Sequence, residues 1–202
     1  MSDGNARSPP GVHLTMTEQQ EYLVVSSRGG VELRDYAPCV VADVSVAGSA
    51  DQAASTAFRP LFNYISGANR TSSPIAMTAP VLQQSASERL AMTAPVIQEP
   101  AGSAQWTVSF VLPGSRALSE YPVPTDSRVT LRALPAERAA ALRWSGRWTS
   151  GNVSRRTAEL RQVIAEEGWT ISGEARWARF DPPWKPPFAR RNEIVIPVLA
   201  AA

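Results

Sequence analysis

The sequence predicts an α+β protein in which two helices flank one antiparallel sheet of about 8–10 strands, either open or rolled into an incomplete barrel. The first observation is the order of the elements, because strands, a helix and further strands occur twice along the 202 residues. The second is that the hexapeptide Ala-Met-Thr-Ala-Pro-Val occurs twice, at residues 76–81 and 91–96. The element order indicates two similar halves, and the repeat marks the stretch around which the chain is organised.

Each copy of the hexapeptide lies within a longer apolar run, at residues 75–82 and 90–97, and the residues between the runs are polar. Apolar runs of this length with a polar connection are typical of two strands joined as a β-hairpin. Pro80 and Pro95 cannot donate a backbone hydrogen bond, so each is expected at an edge, at a bulge or facing away from its neighbour. The hairpin is therefore expected to be bent.

The composition is that of an ordinary soluble globular protein, with 44% hydrophobic residues. The 20 basic and 18 acidic side chains are scattered along the chain, which gives a formal net charge of +2 and no polybasic stripe. Nucleic acid is therefore not an expected partner. The single cysteine, Cys39, excludes an internal disulfide.

The beginning of the chain is polar. Residues 1–20 are expected to form a disordered lead before a single domain at residues 21–200. The first 19 residues lack the apolar segment of a secretory signal, and no stretch approaches the length of an uninterrupted apolar membrane span. We therefore expect a cytoplasmic protein without a membrane span.

The first half is predicted to contain three strands followed by a helix. The strands are expected at residues 22–26, 31–36 and 39–46. Ser49 and Gln52 form a capping-box pattern at the start of the helix, and Gly67 is a suitable stop. Pro60 is expected to kink the helix or to restart it. One apolar stripe with helical spacing is predicted from Phe58, Leu61, Phe62 and Ile65.

The second half repeats this order around a helix at residues 153–167, which Gly168 ends. Its strands are expected at residues 105–112, 129–134, 139–144, 169–180 and 193–198. The two helices would cover one large antiparallel sheet or a sheet rolled into an incomplete barrel.

A proline-rich loop follows the predicted strand at residues 169–180. Four prolines within residues 182–187 favour an extended polyproline II conformation, which would present Trp184 and Phe188 at low entropic cost. Such a loop suits the rim of a binding site. In the alternative interpretation, Trp184 plugs the end of the core.

Basic side chains beside these aromatic residues could reach carboxylates or phosphates of a ligand. They are Lys185, Arg190 and Arg191. For Arg191 an internal ion pair with Asp181 or Glu193 is the favoured interpretation, because these acidic neighbours are available. Lys185 has no acidic residue within three positions.

Taken together, these segments resemble the SOUL haem-binding protein family. The resemblance rests on the tandem Met-Thr-Ala-Pro-Val segments, on Leu-Phe-Asn-Tyr-Ile-Ser-Gly-Ala-Asn at residues 61–69 and on Asp-Pro-Pro-Trp-Lys-Pro-Pro at residues 181–187. The last motif leads to Arg-Arg-Asn-Glu at residues 190–193, and the match covers about residues 22–199. It implies a distorted antiparallel barrel with two flanking helices, built from a duplicated unit and similar to effector-binding domains of bacterial regulators.

The resemblance also implies that a tetrapyrrole binds between the first helix and the proline-rich loop. It implies apolar haem contacts near Phe58, Leu61 and Phe62. Arg59 is the nearest cation on the helix, and Ile65 is the last residue of the apolar stripe. The candidate residues on the helix are Phe58, Arg59, Leu61, Phe62 and Ile65. The candidates on the loop are Phe180, Trp184, Lys185 and Phe188.

The available side chains limit how the haem iron could be held. The single histidine, His13, lies in the expected lead, so a fixed imidazole ligand is not expected. The remaining candidates are Met77, Met92, Cys39, the tyrosines and Lys185. The two methionines either fill the core or line a pocket for a flat, polarizable ligand. Binding is expected to rest on apolar contacts, with cations steering the ligand's carboxylates.

Three functions remain open. A haem or porphyrin carrier, buffer or sensor is favoured, an effector-binding module for another amphipathic molecule is second, and a haem-degrading enzyme is third. One histidine and one cysteine exclude a Ser-His-Asp or Cys-His catalytic device and an ordinary zinc site. No Walker or dinucleotide-binding fingerprint occurs. Binding is therefore favoured over catalysis.

Overall fold

The computed structural model describes residues 20–71, 87–102, 104–114, 116–181 and 184–199. The first copy of the hexapeptide, with Met77 and Pro80, lies outside these residues, and so does the expected lead apart from residue 20. The predicted pairing of the two hexapeptide copies therefore stays a prediction.

The described residues form twelve strands and two α-helices. The strands are β1 (Tyr22–Arg28), β2 (Val31–Tyr36), β3 (Cys39–Ala47), β4 (Asn69–Arg70), β5 (Val96–Pro100), β6 (Gln105–Val111), β7 (Val123–Pro124), β8 (Thr130–Leu134), β9 (Glu137–Trp144), β10 (Thr170–Ile171), β11 (Arg176–Arg179) and β12 (Asn192–Leu199). The helices are α1 (Ala50–Ile65) and α2 (Ser150–Glu166). Neither of these two helices has the length and apolar character that crossing a membrane requires.

Ten of the strands join one antiparallel sheet. Its order is β1-β2-β9-β12-β11-β5-β6-β3-β8, and β10 pairs with β12 outside this path. The short strands β4 and β7 form a separate pair. The predicted α+β class, with two helices and an antiparallel sheet of about this size, is confirmed.

Both helices pack on the same face of the sheet. Helix α1 lies over β3 and β6, and helix α2 lies over β9 and β12. In the cluster beneath α1, Leu61 packs with Val44 and Val108, whereas Leu160 of α2 packs with Ile194 in a second cluster. Each half of the chain therefore places one helix over its own strands.

The sheet curls into an incomplete barrel, as the fold class predicted. The guanidinium of Arg132 on β8 lies 3.5 Å from the carboxylate of Glu99 on β5, although β3 and β6 separate these strands. Val41 and Ala141 alternate with residues under the helices, so they point to the opposite face, yet both are buried. This inner face is covered by the curl of the sheet itself.

Helix α1 begins and ends where the sequence predicts. The side chain of Ser49 accepts from the backbone N–H of Gln52, whose side chain in turn accepts from the backbone N–H of Ser49. Gly67 follows the end of the helix with a φ of 112°, which a residue with a side chain rarely adopts. The helix continues through Pro60 and does not restart there.

The predicted apolar stripe on α1 is only half correct. The residues that face the sheet are Ala53, Ala57, Leu61, Tyr64 and Ile65. Phe58 and Phe62 lie beside this stripe and remain 42% and 43% exposed. The small side chains of the two alanines bring the helix close to the sheet, and Tyr64 is drawn inward because its hydroxyl donates to the carbonyl of Pro122 at 2.9 Å. Two phenylalanines are thereby left at the surface.

The second predicted hairpin strand, at residues 90–97, is wrong at its start, because β5 begins at Val96. Residues before Val96 bond to other elements, since the N–H of Leu90 donates to the carbonyl of Ile65 at 2.8 Å. The hydroxyl of Thr93 donates to the carbonyl of Val111. Pro95, which directly precedes the strand, has no N–H to give to a ladder. The segment therefore follows the end of α1 instead of extending β5.

The single long strand predicted at residues 169–180 is also wrong, because β10 and β11 are separate strands. Facing them on β12 is Pro197, which lacks an N–H and interrupts the ladder. Gly173 fits closely against Pro197, since a Cβ at Gly173 would lie 3.0 Å from the proline Cγ. The chain bends at this contact and continues as β11.

Candidate functional site

Two aromatic rings project from the side of helix α1, beside its buried stripe. The rings of Phe58 and Phe62 are stacked, with centroids 5.8 Å apart and planes at 12°. Beneath them, the ring of Phe58 meets the edge of the buried Phe110 ring on β6 at 5.6 Å. The core thus holds the pair in a fixed orientation, while its outer surface stays open to solvent.

A groove of about 330 Å³ continues from this pair past the end of α1. One wall of the groove is formed by the end of the helix, with Phe62, Ile65 and Ser66. The facing wall is formed by the segment that precedes β5, with Arg89, Leu90 and Met92. The groove is therefore apolar with one cationic side chain.

The facing wall of the groove is fixed by hydrogen bonds between the side chain of Asn69 and the backbone. The side-chain amide of Asn69 donates to the carbonyls of Tyr64 and Glu88, each at 2.8 Å. In return, the N–H of Glu88 donates to the Asn69 side-chain oxygen at 2.9 Å. Asn69 is almost completely buried, so these hydrogen bonds hold the segment that precedes β5 against the end of α1.

Charge at the groove is positive on one side. Arg89 is exposed and lines the groove. Its acidic neighbour Glu88 is engaged elsewhere, because its carboxylate forms an ion pair with Arg116 at 2.7 Å. A negatively charged group on a ligand in the groove would therefore meet Arg89 and not a carboxylate.

The structure places three of the five predicted residues of helix α1 at the groove and two away from it. Phe62 and Ile65 line the groove, and Phe58 stacks on Phe62 beside it. Leu61 is fully buried and supports the site from within the core. Arg59 is exposed on the helix and is not part of the groove lining.

The proline-rich loop presents its aromatic side chains to solvent. Trp184 is 83% exposed and Phe188 is 80% exposed, so the alternative in which Trp184 plugs the core is wrong. The loop is held in place near the end of β9, since the N–H of Gly146 donates to the carbonyl of Pro187 at 3.0 Å. The two rings are therefore displayed from an anchored loop.

Lys185 has an acidic partner, although no acidic residue lies within three positions of it in the sequence. Its ammonium group lies 2.6 Å from the carboxylate of Asp181, four positions earlier. Burial by itself would raise the pKa of Asp181, but hydrogen bonds from Lys185 and from the N–H of Arg191 outweigh this effect and leave the pKa lowered. The carboxylate of Asp181 therefore offsets part of the positive charge that Lys185 could offer to a ligand.

Phe180 points to a different part of the molecule. It lines a small inner cavity of about 30 Å³, together with Tyr22, Arg34 and residues of the inner face. The guanidinium of Arg191 lies 3.9 Å from the centre of the Phe180 ring. The structure thus places Phe180 at this inner cavity and not among the residues that line the groove.

The inner face carries a buried ion cluster around Glu193. Its carboxylate accepts from Arg34 at 2.7 Å and from Arg191 at 2.7 Å, which confirms the predicted pairing of Arg191 with Glu193. Burial would lower the pKa of Arg34, but the hydrogen bond to Glu193 and the attraction of the neighbouring Tyr36, Glu193 and Tyr22 together raise it, so Arg34 stays charged. Burial also raises the pKa of the nearby Tyr36 to about 12. Each charge in the cluster therefore has a counter-charge.

Two further observations bear on metal binding. Burial raises the pKa of the Cys39 thiol to about 11, so it is a protonated, poor ligand at neutral pH. Within the described part of the chain, no group of three or more His, Cys, Asp or Glu side chains could hold a metal ion.

Sequence reasoning did not identify three of the groove residues, namely Ser66, Arg89 and Leu90. It assigned Leu90 to a strand and Arg89 to the polar connection before it. The available signal was Pro95, because a proline near the end of an apolar run favours a shorter strand and leaves its first residues in a loop.

The chain belongs to the SOUL heme-binding protein family. The sequence model of this family matches residues 17–197, which is nearly the whole chain. A comparison with curated proteins found no match.

Solved structures with the same fold come from proteins of other kinds. The crystal structure of the EcmrR C-terminal domain has a TM-score of 0.59 and 13% identity, covering 85% of this chain and 98% of that one. A cryo-EM structure of an EcmrR-DNA complex has a TM-score of 0.58 at 13% identity, covering 85% of this chain and 57% of that one. A hydrolase from Listeria innocua has a TM-score of 0.58 at 15% identity, covering 87% of this chain and 94% of that one. At these identities the similarity concerns the fold alone.

Proposed function

We propose that this protein reversibly binds haem or another porphyrin in the groove at the end of helix α1. The observation that carries the proposal is the stacked, half-exposed pair Phe58 and Phe62, which continues directly into the groove. Each of the two side chains keeps about two fifths of its surface exposed, and a flat apolar ligand would gain contact area from this aromatic surface. The family to which the chain belongs supports the same ligand class.

The residues of the groove fit the chemistry of a porphyrin. Aromatic and aliphatic side chains suit the faces of the macrocycle, and Arg89 suits one of its carboxylates. The groove volume lies at the lower end of the range for ligand pockets, so part of the macrocycle would remain exposed. We propose that Trp184, Lys185 and Phe188 on the proline-rich loop cover this exposed part, as the family resemblance implies.

Iron can be held in this groove without an imidazole. Met92 is exposed and lines the groove, and its thioether is a known axial ligand type for haem iron. Haem supplies the iron and the conjugated ring, and the protein supplies apolar walls, a cation and this sulfur. We therefore propose that Met92 would hold the iron through its thioether sulfur, and that apolar contact would provide most of the binding free energy.

Parallel titrations with hemin and with protoporphyrin IX test this proposal. We expect a Soret shift with hemin, and affinities for the two compounds that agree within about tenfold, because apolar contacts dominate. Met92→Leu should weaken hemin binding and leave protoporphyrin IX binding unchanged, because only hemin carries iron. A spectrum identical to that of free hemin would contradict the proposal, and equal effects of Met92→Leu on both compounds would exclude ligation by Met92.

A second candidate is an effector-binding module for another amphipathic anion. The openness of the groove and its single cation favour this possibility, since neither feature is specific for a tetrapyrrole. A competition experiment with oleate or anilinonaphthalene sulfonate against protoporphyrin IX separates the two. If either anion displaces protoporphyrin IX at a lower concentration than hemin does, the result would favour an effector-binding module.

We propose binding and not catalysis as the activity. Bound hemin that loses its Soret band in the presence of reductant and oxygen, with formation of a bilin, would instead show haem degradation. The cytoplasmic location and the lack of a nucleic-acid partner stay predictions from the sequence.

A further inference from the structure

Strand β1 leaves an apolar edge on the sheet. Within the described residues, β1 pairs only with β2, so its other side presents backbone N–H and C=O groups. Three consecutive side chains at this edge are exposed: Leu23 by 75%, Val24 by 52% and Val25 by 48%. An edge strand with adjoining exposed apolar side chains favours pairing with a further strand.

The opposite edge of the sheet is protected. Strand β8 has five residues, whereas β1 has seven. At the centre of β8, Arg132 forms ion pairs with Asp43 at 2.6 Å and with Glu99 at 3.5 Å. A short edge strand with a charged side chain resists the addition of another strand. The two edges therefore differ in the property that decides whether a sheet can be extended.

We propose that a second copy of this chain pairs with β1 in antiparallel orientation and forms a two-fold symmetric dimer. Charge complementarity selects the register in which paired residue numbers add up to 49. In this register Val24 faces Val25 of the second copy, and Glu21 faces Arg28 of the second copy. Because the two-fold axis repeats each contact, the strand pair has an apolar centre and an ion pair at each end.

Both ends of the strand can make these ion pairs. Glu21 is exposed, and its position is fixed because its carbonyl accepts from the N–H of Ala37 at 2.9 Å. Arg28 is 71% exposed, and the ion pair with Glu167 at 2.5 Å uses only its Nη1 atom. A guanidinium has five N–H donors, so Arg28 can bind a second carboxylate.

The size and shape of the strand predict a weak dimer. A seven-residue strand pair buries less surface than a standard protein interface, so the dimer should form in a concentration-dependent manner. A bulge between Val24 and Ser26 on the side of β2 increases the local twist and shortens the regular part of the pairing. The inference does not depend on the proposed tetrapyrrole site, which lies at the other half of the sheet.

Sedimentation velocity on the full chain over a concentration series tests the dimer. The weight-average mass should rise from 21.8 kDa towards twice this value. Glu21→Arg and Arg28→Glu alone place like charges at both ends, so each should raise the dissociation constant by roughly tenfold. The double variant Glu21→Arg with Arg28→Glu restores opposite charges and should recover the dimer.

A lysine variant at the centre of the strand provides the matched control. Val24→Lys should abolish the dimer, whereas Val123→Lys on β7 should leave it unchanged, because Val123 is similarly exposed at 54% but lies away from this edge. A monomer at every concentration would overturn the proposal. A dimer that Val24→Lys does not weaken, or that the double variant does not recover, would also overturn it.

Discussion

The two helices cover equivalent parts of the sheet but differ in the side chains beside their buried stripes. Toward the sheet, both carry a narrow apolar stripe. The stripe of α1 is Ala53, Ala57, Leu61, Tyr64 and Ile65, and that of α2 is Val153, Leu160 and Ile164. Beside its stripe, α2 has an ion pair between Arg156 and Glu159 at 2.6 Å, whereas α1 has the stacked rings of Phe58 and Phe62.

This difference distinguishes side chains that the fold requires from those that we propose contact a ligand. A helix on a sheet must bury one stripe, and both helices do so. Beside the stripe there is no such requirement, and α2 carries the Arg156–Glu159 ion pair there. We therefore propose that the exposed surface of the aromatic pair on α1 serves ligand binding in the first half of the chain.

The largest expected effect concerns what the two helices share. Leu61→Ala and Leu160→Ala each remove a fully buried side chain, so each should lower the free energy of unfolding by about 2–5 kcal/mol. Urea denaturation of both variants measures this loss. A loss below about 1 kcal/mol for only one of the two would show that the helices are not equivalent supports of the sheet.

The next effect concerns what α1 has alone. Phe62→Ser should lower the affinity for hemin by about 5–30-fold, which corresponds to about 1–2 kcal/mol of lost apolar contact. Leu118→Ser is the control, because Leu118 is similarly exposed but does not line the groove. Soret titration measures both affinities. If the two variants lose the same affinity for hemin, the aromatic pair is not part of the site.

A third comparison uses the tyrosine in the stripe of α1. Tyr64→Phe removes the hydrogen bond to Pro122 and should cost about 0.5–1.5 kcal/mol of unfolding free energy. Burial raises the pKa of Tyr64 above its usual 10.0, so the unfolded state loses this proton first as the pH rises. The contribution of Tyr64 to the free energy of unfolding therefore decreases above about pH 10. The difference in unfolding free energy between the wild type and Tyr64→Phe should become smaller in this range. A constant difference across this range would contradict the assignment.

The smallest expected effect concerns charge at the groove. Arg89→Ala should lower the affinity for hemin by about 2–5-fold, and added salt should reduce this difference, because an exposed ion pair is weak and screened. Arg161→Ala on the outer face of α2 is the control for loss of one exposed cation. If both variants bind hemin equally well, Arg89 does not contact the ligand.

Local sequence signals predicted most elements of the fold but not the rotation of α1. The capping box at Ser49 and the stop at Gly67 were correct because they depend on neighbouring residues alone. The exposure of Phe58 and Phe62 was not predictable from their spacing. It follows from the inward position of Tyr64, whose partner Pro122 is distant in the sequence.

The sequence alone determined the fold class, the positions of both helices and the family, because periodicity, caps and motifs are properties of the chain itself. Tertiary structure decided which side chains share the groove, since hydrogen bonds of Leu90 with Ile65 and of Glu88 with Asn69 bring Arg89 and Met92 to the end of α1. It also placed Phe180 at the inner cavity. Such contacts join residues that are far apart in the chain, so local sequence patterns do not predict them.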